Sequence, residues 1–77
     1  MMHPSSDKLK AHQEVAYETT SLHSEGYHLI CEHDFGELVY CKMRHRYNGN
    51  TIDIFGYPKE RKVILKKNRR VIKSRTW

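Results

Sequence analysis

The chain has 77 residues, 38% of them hydrophobic and 30% charged, with a net charge of +5. That length leaves room for one core, so residues 1–77 are expected to form a single small domain. The composition is globular, not disordered, and no apolar stretch approaches the roughly 20 residues that span a bilayer.

The opening MMHPSSDKLK lacks the apolar run of a signal peptide. The expected location is therefore cytoplasmic, with Cys31 and Cys41 as reduced thiols. Residues 1–5 read as a flexible terminus and 6–24 as a helix. Ser5 or Ser6 can cap the helix, and Asp7 adds negative charge to its first turn. Leu9, His12, Val15, Ala16, Thr19 and Leu22 fall within one arc of a 3.6-residue wheel, with Glu14, Tyr17, Glu18 and Ser21 opposite. Gly26 is a natural exit from the helix.

From Tyr27 the period changes to two, which predicts a β-meander over 27–77. Tyr27, Leu29 and Cys31 alternate with His28, Ile30 and Glu32, and Val39, Cys41 and Met43 continue the apolar face after the DFGE turn. Pairing Asp34 with Leu38 sets Cys31 against Cys41 and Leu29 against Met43. Asn48-Gly49 is a two-residue type I′ hairpin signal. It predicts Arg46 beside Thr51, His45 beside Ile52, Arg44 in an ion pair with Asp53, and Met43 beside Ile54. The segment KVILKKNRRVIKSRTW reads as a fourth and fifth strand turning at Lys67-Asn68, although Ile64, Leu65, Val71 and Ile72 are also spaced as in a basic amphipathic helix.

The expected fold class is α+β: one N-terminal helix packed on a four- or five-stranded antiparallel meander, which can curl toward a small open barrel. In element order alone it resembles the Sm-like and SH3-like barrels.

Charge is divided unevenly along the chain. Residues 1–38 hold two lysines against seven acids, whereas residues 39–77 hold twelve Lys and Arg against Asp53 and Glu60. A basic C-terminal half suggests an anionic partner, unless the acidic helix neutralises the sheet from within. Tyr40, Lys42, Arg44 and Arg46 alternate on one strand face, with Phe55 and Tyr57 on the same face of its neighbour. Cations neutralise phosphates and aromatic rings stack unpaired bases, the combination that sheet-type readers of single-stranded RNA use. Lys66, Lys67, Arg69 and Arg70 surround Asn68 at a projecting tip, and Arg75 adds a further cation.

Two other chemistries compete. Cys31-x-His33 and Cys41-x3-His45 offer four zinc-type ligands, but the spacing matches no standard finger, so no metal or other cofactor is expected. YCKMRHRY holds the Tyr, His, Arg and Lys of small ribonuclease toxins, and IDIFGYPKERKVI resembles the strand end of RelE-type toxins over about a third of the chain. That resemblance implies RNA cleavage dependent on Tyr40 or His45.

The leading expectation is a small, basic, non-enzymatic nucleic-acid-binding or regulatory protein. RNA or single-stranded DNA would be its partner, met by Tyr40, Lys42, Arg44, Arg46, Phe55, Tyr57, Lys66, Lys67, Arg69, Arg70 and Arg75. The alternative is an accessory or inhibitor protein that docks its basic surface on an acidic protein. No membrane partner is expected, and open sheet edges leave room for a homodimer.

Overall fold

Pro4 opens the helix, where a fixed φ and a missing N–H cost nothing. The computed structural model describes residues 4–77. It contains α1 (Pro4–Ser24) followed by β1 (Tyr27–Asp34), β2 (Val39–His45), β3 (Thr51–Tyr57), β4 (Lys62–Lys67) and β5 (Arg70–Thr76). Residues 1–3 of the expected loose terminus lie outside the described residues, and Pro4 and Ser5 belong to the helix. The helix ends at Ser24, where Gly26 takes a φ of +102° and donates to the His23 carbonyl.

The strands form one antiparallel sheet in the order β1-β2-β3-β4-β5, so the C-terminal segment is a hairpin and not a helix. The sheet stays open, with β1 and β5 as unpaired edges. A closed barrel would have to expel α1, which covers the inner face across β1 to β4. Each edge strand pairs irregularly with its neighbour, leaving an extra residue at Ile30 and at Ile72, and such bulges discourage edge-to-edge pairing.

The core lies between helix and sheet. Ala11, Val15 and Leu22 meet Tyr27, Val39, Cys41, Met43, Ile52, Ile54, Val63 and Leu65, with Trp77 packed at the margin. The buried helix positions 11, 15, 18 and 22 form one stripe, rolled by roughly 80° from the arc expected from hydrophobicity. Val15 and Leu22 belong to both arcs, but Leu9 is 60% exposed and Glu18 only 2%. The reason is electrostatic. Glu18 Oε1 lies 3.1 Å from Lys73 Nζ, and Glu18 Oε2 accepts from Arg75 Nε at 2.7 Å. The same guanidinium binds Glu14. A carboxylate can be buried when partners satisfy both oxygens, and β5 supplies them.

Two registers differ from those expected. Asp34 pairs with Val39, not Leu38, around a four-residue turn in which Phe35 N–H donates to the Leu38 carbonyl. That setting turns Asp34 toward α1, where it meets Lys8 at 2.7 Å and His12 at 2.9 Å. Cys31 therefore faces Lys42 instead of Cys41, and the bulge at Ile30 restores Leu29 opposite Met43.

The β2–β3 hairpin turns through Arg46, Tyr47, Asn48 and Gly49 instead of two residues. His45 N–H donates to the Asn50 carbonyl, Arg46 N–H to the Gly26 carbonyl, and Asn50 N–H to Asn48 Oδ1. These bonds hold the wider turn, and only Gly49 within it has positive φ. The pairing consequently slips by two: Arg44 faces Thr51, and Lys42 faces Asp53. A slip of two keeps every side chain on its expected face, because strand alternation has that period. In the β4–β5 hairpin the turn residues are Asn68 and Arg69, both at positive φ, one position later than expected.

Gly56 lets the helix sit close to β3. A Cβ there would lie 2.7 Å from Val15 Cγ2. Gly56→Ala is expected to destabilise the fold by about 1–3 kcal/mol through overpacking. Urea unfolding followed by Trp77 fluorescence measures this, and Val15→Ala in the same chain should recover part of the loss. Equal stability of Gly56→Ala and the parent would contradict the close packing.

Acid should act through the carboxylates that face the helix side. The Arg75 hydrogen bond holds Glu14 below its ordinary value of 4.5, and Lys8, with the Gly36 N–H and His12, holds Asp34 well below the usual carboxylate range. Both folded values are depressed, so their stabilisation is complete above the unfolded carboxylate pKa of about 4 and is lost as pH falls below it. The urea midpoint is expected to drop on acidification through that range, and less steeply in Glu14→Gln. A midpoint that holds or rises there would contradict these pairings.

Candidate functional site

Alternation places every second residue of each strand on the face opposite α1, and the pairings align those residues in rows. One row crosses the sheet as His33, Tyr40, Phe55, Ile64 and Ser74. Beside it run Cys31, Lys42, Asp53, Lys66 and Val71, and beyond these His28, Arg44 and Thr51. On the other flank Tyr57 pairs with Lys62, and Lys62 with Thr76. The outer face thus carries an aromatic band with cations on both sides.

The rings form a continuous cluster. Tyr40 and Phe55 have centroids 5.3 Å apart, and Phe55 and Tyr57 stack at 6.4 Å with planes 18° apart. Lys66 Nζ lies 5.4 Å from the Phe55 centroid and Lys62 Nζ 5.5 Å from that of Tyr57. Tyr40 donates its hydroxyl to Asp53 Oδ1 at 2.5 Å. Burial, and then the Asp53 carboxylate, push the phenol above its usual range, which keeps it a donor.

Among the described residues, no ion pair involves Lys42, Arg44, Lys62 or Lys66. Five of the seven acids of the N-terminal half are engaged elsewhere. Glu14, Glu18 and Asp34 serve the helix side, Asp7 meets Arg61, and Glu37 meets Lys59. Internal neutralisation therefore takes place at the helix side and the turns and, among the described residues, leaves the outer cations unpaired.

Of the residues expected to bind, Tyr40, Lys42, Arg44, Phe55, Tyr57 and Lys66 share this face. The others separate. Arg46 lies in the β2–β3 loop, and Arg69 occupies the β4–β5 turn at the same end of the meander. Lys67 and Arg70 pair with each other on the helix side of the sheet. Arg75 is withdrawn altogether, held by Glu14 and Glu18 on the inner face. Lys62 was missed, although carrying the alternation of Val63 and Leu65 one step back would have found it. Asp53 was expected to be spent on Arg44, and the slipped register frees it.

The zinc-type quartet is divided. Cys31 and His33 point outward, whereas Cys41 and His45 belong to the inner rows. No group of three or more His, Cys, Asp or Glu positioned for a metal occurs among the described residues. Tyr40 and His45, paired by the ribonuclease resemblance, also lie on opposite faces; His45 is occupied by an edge contact with Tyr27 at 5.0 Å and by the N–H groups of Tyr47 and Asn48.

The two thiols should differ in reactivity. Burial, with Glu32 and Cys31 adding to it, pushes the Cys41 thiol up to about 12, while Cys31 is partly exposed on the outer face. Thiolates alkylate and thiols do not. Mass spectrometry of the native protein after iodoacetamide treatment near pH 8 is expected to show one adduct, at Cys31, with Cys41 labelled only after denaturation. Equal labelling of both would contradict the assignment of faces.

Compared with models of known families, with curated proteins and with solved structures, the chain matches none of them.

Proposed function

We propose that the outer sheet face binds single-stranded RNA or single-stranded DNA, in a non-enzymatic, regulatory role. The observation that supports this is the ring cluster of Tyr40, Phe55 and Tyr57, flanked by Lys42, Arg44, Lys62 and Lys66, which have no carboxylate partner among the described residues. These rings are half-buried with one face outward; a lysine over a ring at the surface is worth about 0.5–1 kcal/mol, and a stacked base about 1–3 kcal/mol. A base can therefore take a lysine's place on the ring and release its ammonium group to a phosphate. The row of rings suits about two or three bases, the number that a comparable open sheet accommodates. A duplex hides its base faces and offers this surface only phosphates.

Docking on an acidic protein is the second reading. What favours it is that Lys62 and Lys66 cover the rings in the unbound face, so ammonium groups and not aromatic faces meet the partner first. Neither reading calls for a membrane, and no helix among the described residues is long and apolar enough to cross one.

Fluorescence anisotropy of labelled random RNA, single-stranded DNA and duplex DNA, titrated across a range of salt, separates the readings. Single strands are expected to bind more tightly than duplex, with a log–log salt slope approaching about −3 if all four cations meet phosphates. Phe55→Ala should weaken binding by about 1–3 kcal/mol at unchanged slope. Lys42→Glu with Lys66→Glu should flatten the slope by at least about 1 unit. Duplex binding as tight as single-strand binding, or indifference to Phe55→Ala, would overturn the stacking model, and feeble binding to all three nucleic acids would favour an acidic protein partner.

A further inference from the structure

Most of the outer face is cationic, aromatic or neutral, and Asp53 is the exception. It stands between Lys42 and Lys66 in the row beside Tyr40 and Phe55. A carboxylate there repels phosphate, so a surface serving the backbone alone has no use for it. Neighbouring cations do not neutralise it either. Among the described residues no ion pair includes Asp53, and Lys66 lies over Phe55 instead. One of its oxygens is committed, since Tyr40 donates to Oδ1. That bond orients the group and leaves Oδ2 as an acceptor beside the rings on which bases would stack.

We infer that Asp53 is a base-reading residue, selecting bases with an exocyclic amino group over uracil and thymine, and that Tyr40 positions it. This rests on the single-strand reading of the same face. An ionised carboxylate only accepts hydrogen bonds. Cytosine and adenine offer amino donors at N4 and N6, whereas uracil and thymine present a carbonyl oxygen at the corresponding place. Against that carbonyl oxygen, acceptor meets acceptor, so the hydrogen bond is lost and the two groups repel. One charge-assisted hydrogen bond, made to the right base and lost with the wrong one, corresponds to about a tenfold preference.

The test compares short oligocytidylate, oligoadenylate and oligouridylate RNAs by anisotropy at one salt concentration. The parent protein is expected to bind the first two about tenfold more tightly than the third. Asp53→Asn keeps the acceptor for Tyr40 and gains an amide donor that suits the uracil carbonyl. It should raise affinity for oligouridylate most and erase the preference, even as removal of the negative charge strengthens binding generally. Tyr40→Phe keeps the ring but frees the carboxylate, so it should reduce the preference much more than the affinity. Circular dichroism and Trp77 fluorescence establish that both variants are folded. Equal binding of all three oligonucleotides by the parent, or an unchanged order in both variants, overturns the role of Asp53 while leaving the single-strand reading intact. Failure of every oligonucleotide to bind removes the single-strand reading and this inference with it.

Discussion

Glu18 is the constraint around which the molecule is arranged. A carboxylate that is 2% exposed is tolerable only because Lys73 and Arg75 reach both of its oxygens from β5. Removing the partners of such a buried charge typically costs about 3–5 kcal/mol, a large share of the stability of so small a domain. The pairing also does mechanical work. The backbone of α1 packs across β1 to β4, and Glu14 and Glu18 extend its grip to the outermost strand. The roll of the helix follows from this demand, more than from its thin apolar stripe.

The same pairing sorts charge between the two sides of the sheet. Five of the seven acids in the N-terminal half are tied to Lys8, Lys10, His12, Lys59, Arg61, Lys73 or Arg75, all at the helix side or the turns. None of these acids reaches Lys42, Arg44, Lys62 or Lys66. An acidic helix on one side of a basic sheet therefore neutralises only the side it touches, because ion pairs need contact distances and the sheet itself stands between. The uncompensated positive charge collects beside Tyr40, Phe55 and Tyr57, which is why the proposed interface combines phosphate contacts with stacking.

The outer face was legible from the sequence although all three hairpin turns departed from expectation. Asn48-Gly49 suggested a two-residue hairpin, and the chain instead uses four residues held by His45, Asn48 and Gly26. Since the resulting slip is even, Tyr40, Lys42, Arg44, Phe55 and Tyr57 still share one face. The odd slip between β1 and β2 was more damaging. It moved Cys31 away from Cys41, and a bulge at Ile30 was needed to bring Leu29 back to Met43. Short loops held by side-chain hydrogen bonds leave little trace in hydrophobic patterning, and for that reason turn lengths were read less reliably than strand faces.

Period-two alternation after Gly26, β-branched residues near the C-terminus and the clustering of Lys and Arg beyond residue 38 were enough to establish a helix, a meander and a basic, aromatic outer surface. These are local properties, carried by each side chain's place in its own strand. The roll of α1, the loss of Arg75 to the interior, the arrival of Lys62 and the release of Asp53 from Arg44 were decided only in three dimensions. Each depends on a partner distant in sequence, as with Glu18 and Arg75 or Tyr40 and Asp53, and a charged residue's side of the sheet is set by the opposite charge that folding brings to it.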